Sequence, residues 1–232
     1  MLDKIHFVCP SSIQHRESSI AFSRRPSDAA PFARFWEKPT HPTPAIYPVI
    51  LTVPPEVREL PPRERVRALS RRAREALALS AERLGVALGP LEKDARGAPL
   101  PCAGWFWSLT HKHLYVGGVL APHPVGVDLE QVRPVSPGLY RKTAASDEWA
   151  MGAAEDRRIA FFRFWTAKEA VLKTGGEGIK DLSRCRVTRI ETADRLQVDY
   201  AGRGWIVDQV VFDGHLAAVA GGGLPVRWVL PD

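Results

Sequence analysis

The stretch Phe161–Gly178, FFRFWTAKEAVLKTGGEG, constrains this chain more than any other. Phe161, Trp165, Lys168/Glu169 and Leu172/Lys173 recur three or four residues apart, so a helix gathers them on one broad side. Phe162, Trp165, Ala170 and Leu172 anchor that helix in a core. Gly175, Gly176 and Gly178 then suit a helix stop and a tight turn. The side that should be buried therefore carries lysine and glutamate, and the fold must supply partners for them. The ordinary alternative is a solvated Glu169–Lys173 pair at i,i+4, worth about 0.2–0.5 kcal/mol.

The rest of the pattern predicts an α+β fold. Residues 1–44 are broken by Pro10, Pro26, Pro31, Pro39, Pro42 and Pro44. They read as an irregular arm, pinned by Phe32, Phe35 and Trp36 on a short helix near Phe32–Trp36. Residues 45–125 and 126–232 read as two α+β halves with a ligand cleft between them. The first half offers a strand at Val49–Val53 and a helix over Arg63–Leu84. Val66, Leu69, Ala73, Ala76, Leu77 and Leu84 form the apolar side of that helix, and a break near Ser80 is expected. Strands at Trp105–Leu109 and Leu114–Leu120 follow. Val125–Leu129 is expected to return from Pro122–Pro124 as a hairpin. Ser136–Glu155 reads as loosely specified helix with Trp149 and Met151 as anchors. Strands follow at Arg184–Ile190, Leu196–Asp199, Trp205–Phe212, Leu216–Ala220 and Val226–Leu230, with Asp213-Gly214 as a hairpin turn.

Asp128 and Glu130 are two residues apart on a strand, so both carboxylates share a face and Val127 and Leu129 take the other. Such a pair is either a solvated strand end or half of a site for a hard divalent cation. His111, beside Ser108, Thr110 and Lys112, is either exposed and structural or part of an anion site. Arg63, Arg65, Arg67, Arg71, Arg72 and Arg74 form either a solvated helix face or a surface for phosphate or an acidic partner. The formal charge of +6 favours anionic partners without selecting one. No aromatic interleaving or nucleic-acid module accompanies the arginines, so nucleic acid is not the expected partner. Cys9, Cys102 and Cys185 are few and scattered, which fits a reducing, cytoplasmic compartment and neither a disulfide scaffold nor a zinc cluster. No secretory leader and no membrane span are expected.

Three stretches, Trp107–His111 (WSLTH), Gly126–Glu130 (GVDLE) and Trp165–Gly178 (WTAKEAVLKTGGEG), together resemble the 4'-phosphopantetheinyl transferases. The likeness is greatest to their longer single-chain class, exemplified by the surfactin-synthetase activator. The resemblance implies two similar halves related by a pseudo-twofold axis, with coenzyme A between them. It implies Mg2+-dependent transfer of the phosphopantetheine arm to a serine of an apo acyl, peptidyl or aryl carrier protein, releasing adenosine 3',5'-bisphosphate. By the same resemblance Asp128, Glu130 and Glu169 are metal carboxylates, and Glu169 and Lys173 are catalytic. His111, Lys168 and Lys173 contact the anionic cofactor. The carrier is expected to dock through an acidic surface, and the duplicated architecture is compatible with an active monomer. One departure stands out. The family often places a basic residue between Gly and Pro before the WSLTH-like strand, and here the tripeptide is Gly97-Ala98-Pro99, which leaves Arg96 as the substitute phosphate contact. A noncatalytic carrier- or coenzyme A-binding protein and a metal-dependent nuclease are the competing readings.

Overall fold

A computed structural model describes residues 45–176 and 179–231, so the expected arm over 1–44, its short helix and Gly178 lie outside the described residues. The fold is α+β, with two antiparallel sheets flanked by helices. The first sheet has the order β1 (Val49–Thr52), β3 (Tyr115–Ala121), β2 (Phe106–His111). Every residue of β3 is buried, because both faces of this central strand are covered. Val116 and Leu120 pack under helix α2 (Pro62–Arg83) against Leu69, Ala73 and Leu77. Tyr115, Val119 and Ala121 point the other way, toward Val127, Leu129 and Ala217. A side chain at Gly118 would meet the Leu77 nitrogen at 2.5 Å, so glycine is what lets α2 lie directly on the strand.

The helix runs unbroken through Ser80, whose buried hydroxyl accepts the Leu120 N–H at 3.0 Å. Its buried face starts at Ala68 and Leu69, whereas Val66 is exposed. A four-residue helix α1 (Pro55–Arg58) precedes it.

The second sheet has the order β4 (Gly126–Gln131), β8 (His215–Ala220), β7 (Arg203–Phe212), β6 (Arg195–Tyr200), β5 (Cys185–Thr192). Residues expected to form a hairpin at Pro122–Pro124 instead carry the chain from one sheet to the other. β4 pairs with β8, Asp128 lying opposite Ala218, and not with β3. The reason is burial: Val127 and Leu129 belong between the two sheets, which places β4 beside β2 without a ladder to β3. The Asp213-Gly214 turn does close β7 onto β8, with both residues at positive φ, 40° and 65°. The expected C-terminal strand is reduced to parallel bridges of Val226 with Ile46 and Val229 with Val49.

Residues 137–151 form two short helices, α3 (Pro137–Thr143) and α4 (Ser146–Met151). Trp149 stacks on Phe164, ring centroids 5.1 Å apart, whereas Met151 is exposed and anchors nothing. Helix α5 (Arg157–Thr174) lies on the second sheet. Asp156 caps it by accepting N–H bonds from Arg158 and Ile159, which hold the Asp156 carboxyl below its usual range. No helix among the described residues is long and apolar enough to cross a membrane.

Candidate active site

One backbone contact and the hydrogen bonds around it fix the geometry. Any side chain at Gly126 would collide with the Ala170 carbonyl, so α5 sits on the backbone of β4. Strand alternation then turns Asp128 and Glu130 toward that helix. Trp165, Glu169 and Lys173, four residues apart along α5, face them in register. The Trp165 indole N–H donates to Glu130 Oε1 at 3.1 Å. Lys173 Nζ donates to Asp128 Oδ1 at 2.7 Å and to the Val127 carbonyl at 2.9 Å. Glu169 lies between these pairs on the helix. The surface Glu169–Lys173 salt bridge is not what forms, since the lysine reaches across to the strand.

The edge of the first sheet closes the cleft with its own alternation. Ser108, Thr110 and Lys112 meet β4 one after another. Ser108 Oγ accepts the Val127 N–H at 3.1 Å, Thr110 Oγ1 approaches Asp128 Oδ1 at 3.4 Å, and Lys112 Nζ donates to Glu130 Oε1 at 2.8 Å. His111 is exposed at the rim of the same cleft, which encloses about 350 Å³.

The electrostatics are uneven. Lys112 and Lys173 each pair with one carboxylate of β4, and Glu169 has no ion pair among the described residues. Glu169 Oε1 and Asp128 Oδ2 are buried with no hydrogen-bond partner among the described residues. Burial, with the Asp128 charge behind it, pushes the Glu169 carboxyl up to about 7, against the opposing pull of Lys173. Partial desolvation, then the charges of Lys173 and Lys112, hold the His111 imidazole below its ordinary value. Among the described residues no three acidic, histidine or cysteine side chains draw together closely enough to grip a metal as they stand. The donor chemistry nonetheless fits a hard cation: carboxylates converge on one cleft, and two of their buried oxygens lack partners.

Lys168 does not reach the cleft. One residue before Glu169, it turns about 100° around the helix. There it is buried, donating to Glu148 Oε1 at 2.6 Å and to the Thr143 carbonyl at 2.7 Å. Burial lowers its pKa and Glu148 opposes the shift. Glu148 also accepts N–H bonds from Val187 and Ala145, so the pair ties α4, α5 and β5 together. The expected cofactor contact at Lys168 is thus a structural ion pair.

Arg96 sits on the loop 94–101, at the wall of adjoining hollows that Lys173 and Gly176 also line. Asp94 shapes the loop by accepting the N–H groups of Ala98 at 2.8 Å and Arg96 at 2.9 Å, and its carboxyl is held low by those bonds. The Arg96 guanidinium is largely exposed, 3.3 Å from Asp94 Oδ2. Gly176, at φ +69°, is so close to Ala98 that a side chain there would collide with it.

Lys112 and the hydrogen-bonding role of Trp165 were not anticipated from sequence. The signal for Lys112 was present in the period-two series Ser108, Thr110, Lys112. A larger hollow of about 750 Å³ lies among α3, α4 and the start of α5, lined by Tyr140 and Trp149, and none of the cleft carboxylates reaches it.

Residues 124–220 match the 4'-phosphopantetheinyl transferase superfamily. Two curated relatives carry the same description. The 4'-phosphopantetheinyl transferase HetI of Nostoc sp. is 30% identical over 153 residues, 60% of this chain and 64% of that protein. The 4'-phosphopantetheinyl transferase psf-1 of Bacillus pumilus is 29% identical over 93 residues, 38% of this chain and 40% of that protein. The chain thus spans less than two thirds of the length of either relative. Residues 124–220, which hold all three cleft carboxylates and the whole of α5, are thus the part of the chain that is similar to the 4'-phosphopantetheinyl transferase superfamily.

Proposed function

We propose that the protein transfers the 4'-phosphopantetheine arm of coenzyme A to a serine of an apo acyl, peptidyl or aryl carrier protein, with Mg2+ as cofactor. The observation that carries this reading is the meeting of Asp128 and Glu130 from β4 with Glu169 and Lys173 from α5 in one cleft, inside the segment that matches the superfamily. Asp128, Glu130 and Glu169 would hold the cation, whose chemistry is to withdraw charge from pyrophosphate oxygens.

The chain's own groups supply the rest. Lys173, at the junction of the cleft and the hollows beside the 94–101 loop, opposes the negative charge that grows on the departing bisphosphate. His111 at the rim and Arg96 on the loop take phosphate oxygens, Arg96 standing in for the basic residue absent at Ala98. The carrier serine Oγ bonds to the β-phosphorus of coenzyme A. The bond from that phosphorus to the bridging oxygen breaks, and adenosine 3',5'-bisphosphate leaves with the electron pair. Glu169 takes the serine proton on Oε1, the oxygen with no partner.

Carrier recognition falls to positive charge. Arg63, Arg67, Arg71 and Arg74 are exposed on α2 and form the face we assign to an acidic carrier. We read residues 45–125 and 126–232 as the two halves of a cytoplasmic monomer.

Intact-mass analysis of an apo-carrier panel incubated with the protein, coenzyme A and Mg2+ tests the reading. One added phosphopantetheine on the carrier serine, lost on omitting metal or in Asp128→Ala, supports it. Unmodified carriers together with no coenzyme A binding would overturn it.

A further inference from the structure

The Lys112–Glu130 pair does something the paired carboxylates alone do not. Lys112 follows β2 at the edge of the first sheet, and Glu130 belongs to β4 of the second. Their 2.8 Å contact therefore spans the cleft from one sheet to the other. It is only partly shielded, the side chains being 35% and 15% exposed. Glu130 Oε1 carries two donors at once, Lys112 Nζ and the Trp165 indole N–H. A cation entering the cleft and using Glu130 meets an oxygen already taken by an ammonium.

We propose that Lys112 is a built-in competitor for Glu130, a positioning residue that holds the carboxylate in the cation-free cleft and weakens cation binding until it is displaced. The assignment rests on the transferase reading, which gives Glu130 to the cation. Lys173 does not duplicate it: Lys173 is anchored additionally on the Val127 carbonyl, whereas the Lys112 ammonium donates to Glu130. Displacement of Lys112 therefore costs about what a partly exposed ion pair is worth. Its absence should tighten cation binding roughly two- to fivefold.

The test is direct Mn2+ binding by electron paramagnetic resonance on the full chain, without coenzyme A, for the wild type, Lys112→Met and Lys112→Arg. Thermal melts of each metal-free protein are recorded alongside. The proposal expects Lys112→Met to bind Mn2+ roughly two- to fivefold more tightly with a metal-free melt lowered by no more than about 2–4 °C, and Lys112→Arg, which keeps the charge, to stay near wild type. Equal or weaker Mn2+ binding by Lys112→Met would overturn the competitor role while leaving the metal-dependent reading standing. A weaker affinity with a lowered melt would show Lys112 to be structural, and overturn it too. No Mn2+ binding by any of the three proteins would overturn both the competitor role and the metal assignment beneath it.

Discussion

Helices α2 and α5 each lie on a sheet through a glycine contact, Gly118 for one and Gly126 for the other, yet they handle charge in opposite ways. On α2 the buried side is wholly small or apolar apart from Ser80, and most of the arginines face solvent. Arg65 and Arg72 bend back to cap the carbonyls of Arg58 and Thr52, and Arg72 pairs with Glu75. Such half-exposed contacts contribute little each. On α5 Arg157 and Arg158 are exposed at the start, but further along charges lie inside. Buried Arg163 donates to Gln209, Glu155 and the Thr192 carbonyl, and buried Lys168 is held by Glu148. Glu169 lines the cleft with an orphaned buried oxygen beside the Asp128 and Glu130 charges, whereas Glu155, which also has one unpartnered oxygen, is held by Arg163 through the other. The contrast separates two uses of buried charge. Where every donor and acceptor is matched, the charge fixes structure; where one is left unmatched beside like charges, the site is poised for a ligand or a proton.

Breaking the matched pair should have the largest effect. Lys168→Met leaves Glu148 buried and unpaired, and should cost about 3–5 kcal/mol in urea unfolding. The double variant Lys168→Met/Glu148→Gln should recover part of that loss, and a single variant as stable as wild type would erase the distinction between the two helices. Next, Gly126→Ala forces α5 away from β4 and should cost about 1–3 kcal/mol. Because the same contact sets Glu169 and Lys173 against Asp128, it should also reduce transfer per folded molecule, measured at a temperature where the variant remains folded.

A third effect concerns Glu169 in chelator-treated protein. Its folded-state pKa, about 7, lies above the ordinary 4.5. The folded state therefore binds this proton more tightly than the unfolded chain. That contribution to stability is complete below about 4.5 and is lost as pH rises through about 7. Denaturant midpoints at about pH 5 and about pH 8 should fall more for wild type than for Glu169→Gln, and parallel falls would contradict the assigned burial. Smallest is the arginine face. Reversing Arg63, Arg67 and Arg71 to glutamate should move stability by less than about 0.5 kcal/mol per site. It should raise the carrier KM at low salt and have progressively less effect as salt is added.

Much of this was legible in sequence because it is local. The two-residue step from Asp128 to Glu130 and the four-residue steps from Trp165 to Lys173 each put side chains on one face whatever the rest of the chain does. Lys168 shows the limit. It lies inside the same motif, and a broad-face reading grouped it with Glu169. Only its partner Glu148, which carries no sequence signal of its own, decides that it turns away. The path of β4 was illegible for another reason. Pro122–Pro124 has the composition of a hairpin turn, but the partner strand β8 lies some ninety residues on, chosen by where Val127 and Leu129 are buried. Arg96 stands out in sequence only because Ala98 is not basic, and Gly176 packing on Ala98 gives a physical reason for a small residue there.

The central claim is that the unmatched charge of α5 belongs to a transferase centre. The most direct measurement compares wild type and Glu169→Gln, both verified as folded, for the rate at which an apo carrier gains phosphopantetheine mass from coenzyme A and Mg2+. The account predicts modification by the wild type and a rate lower by on the order of 10²–10⁴-fold in the variant. Equal rates in the two proteins would contradict it.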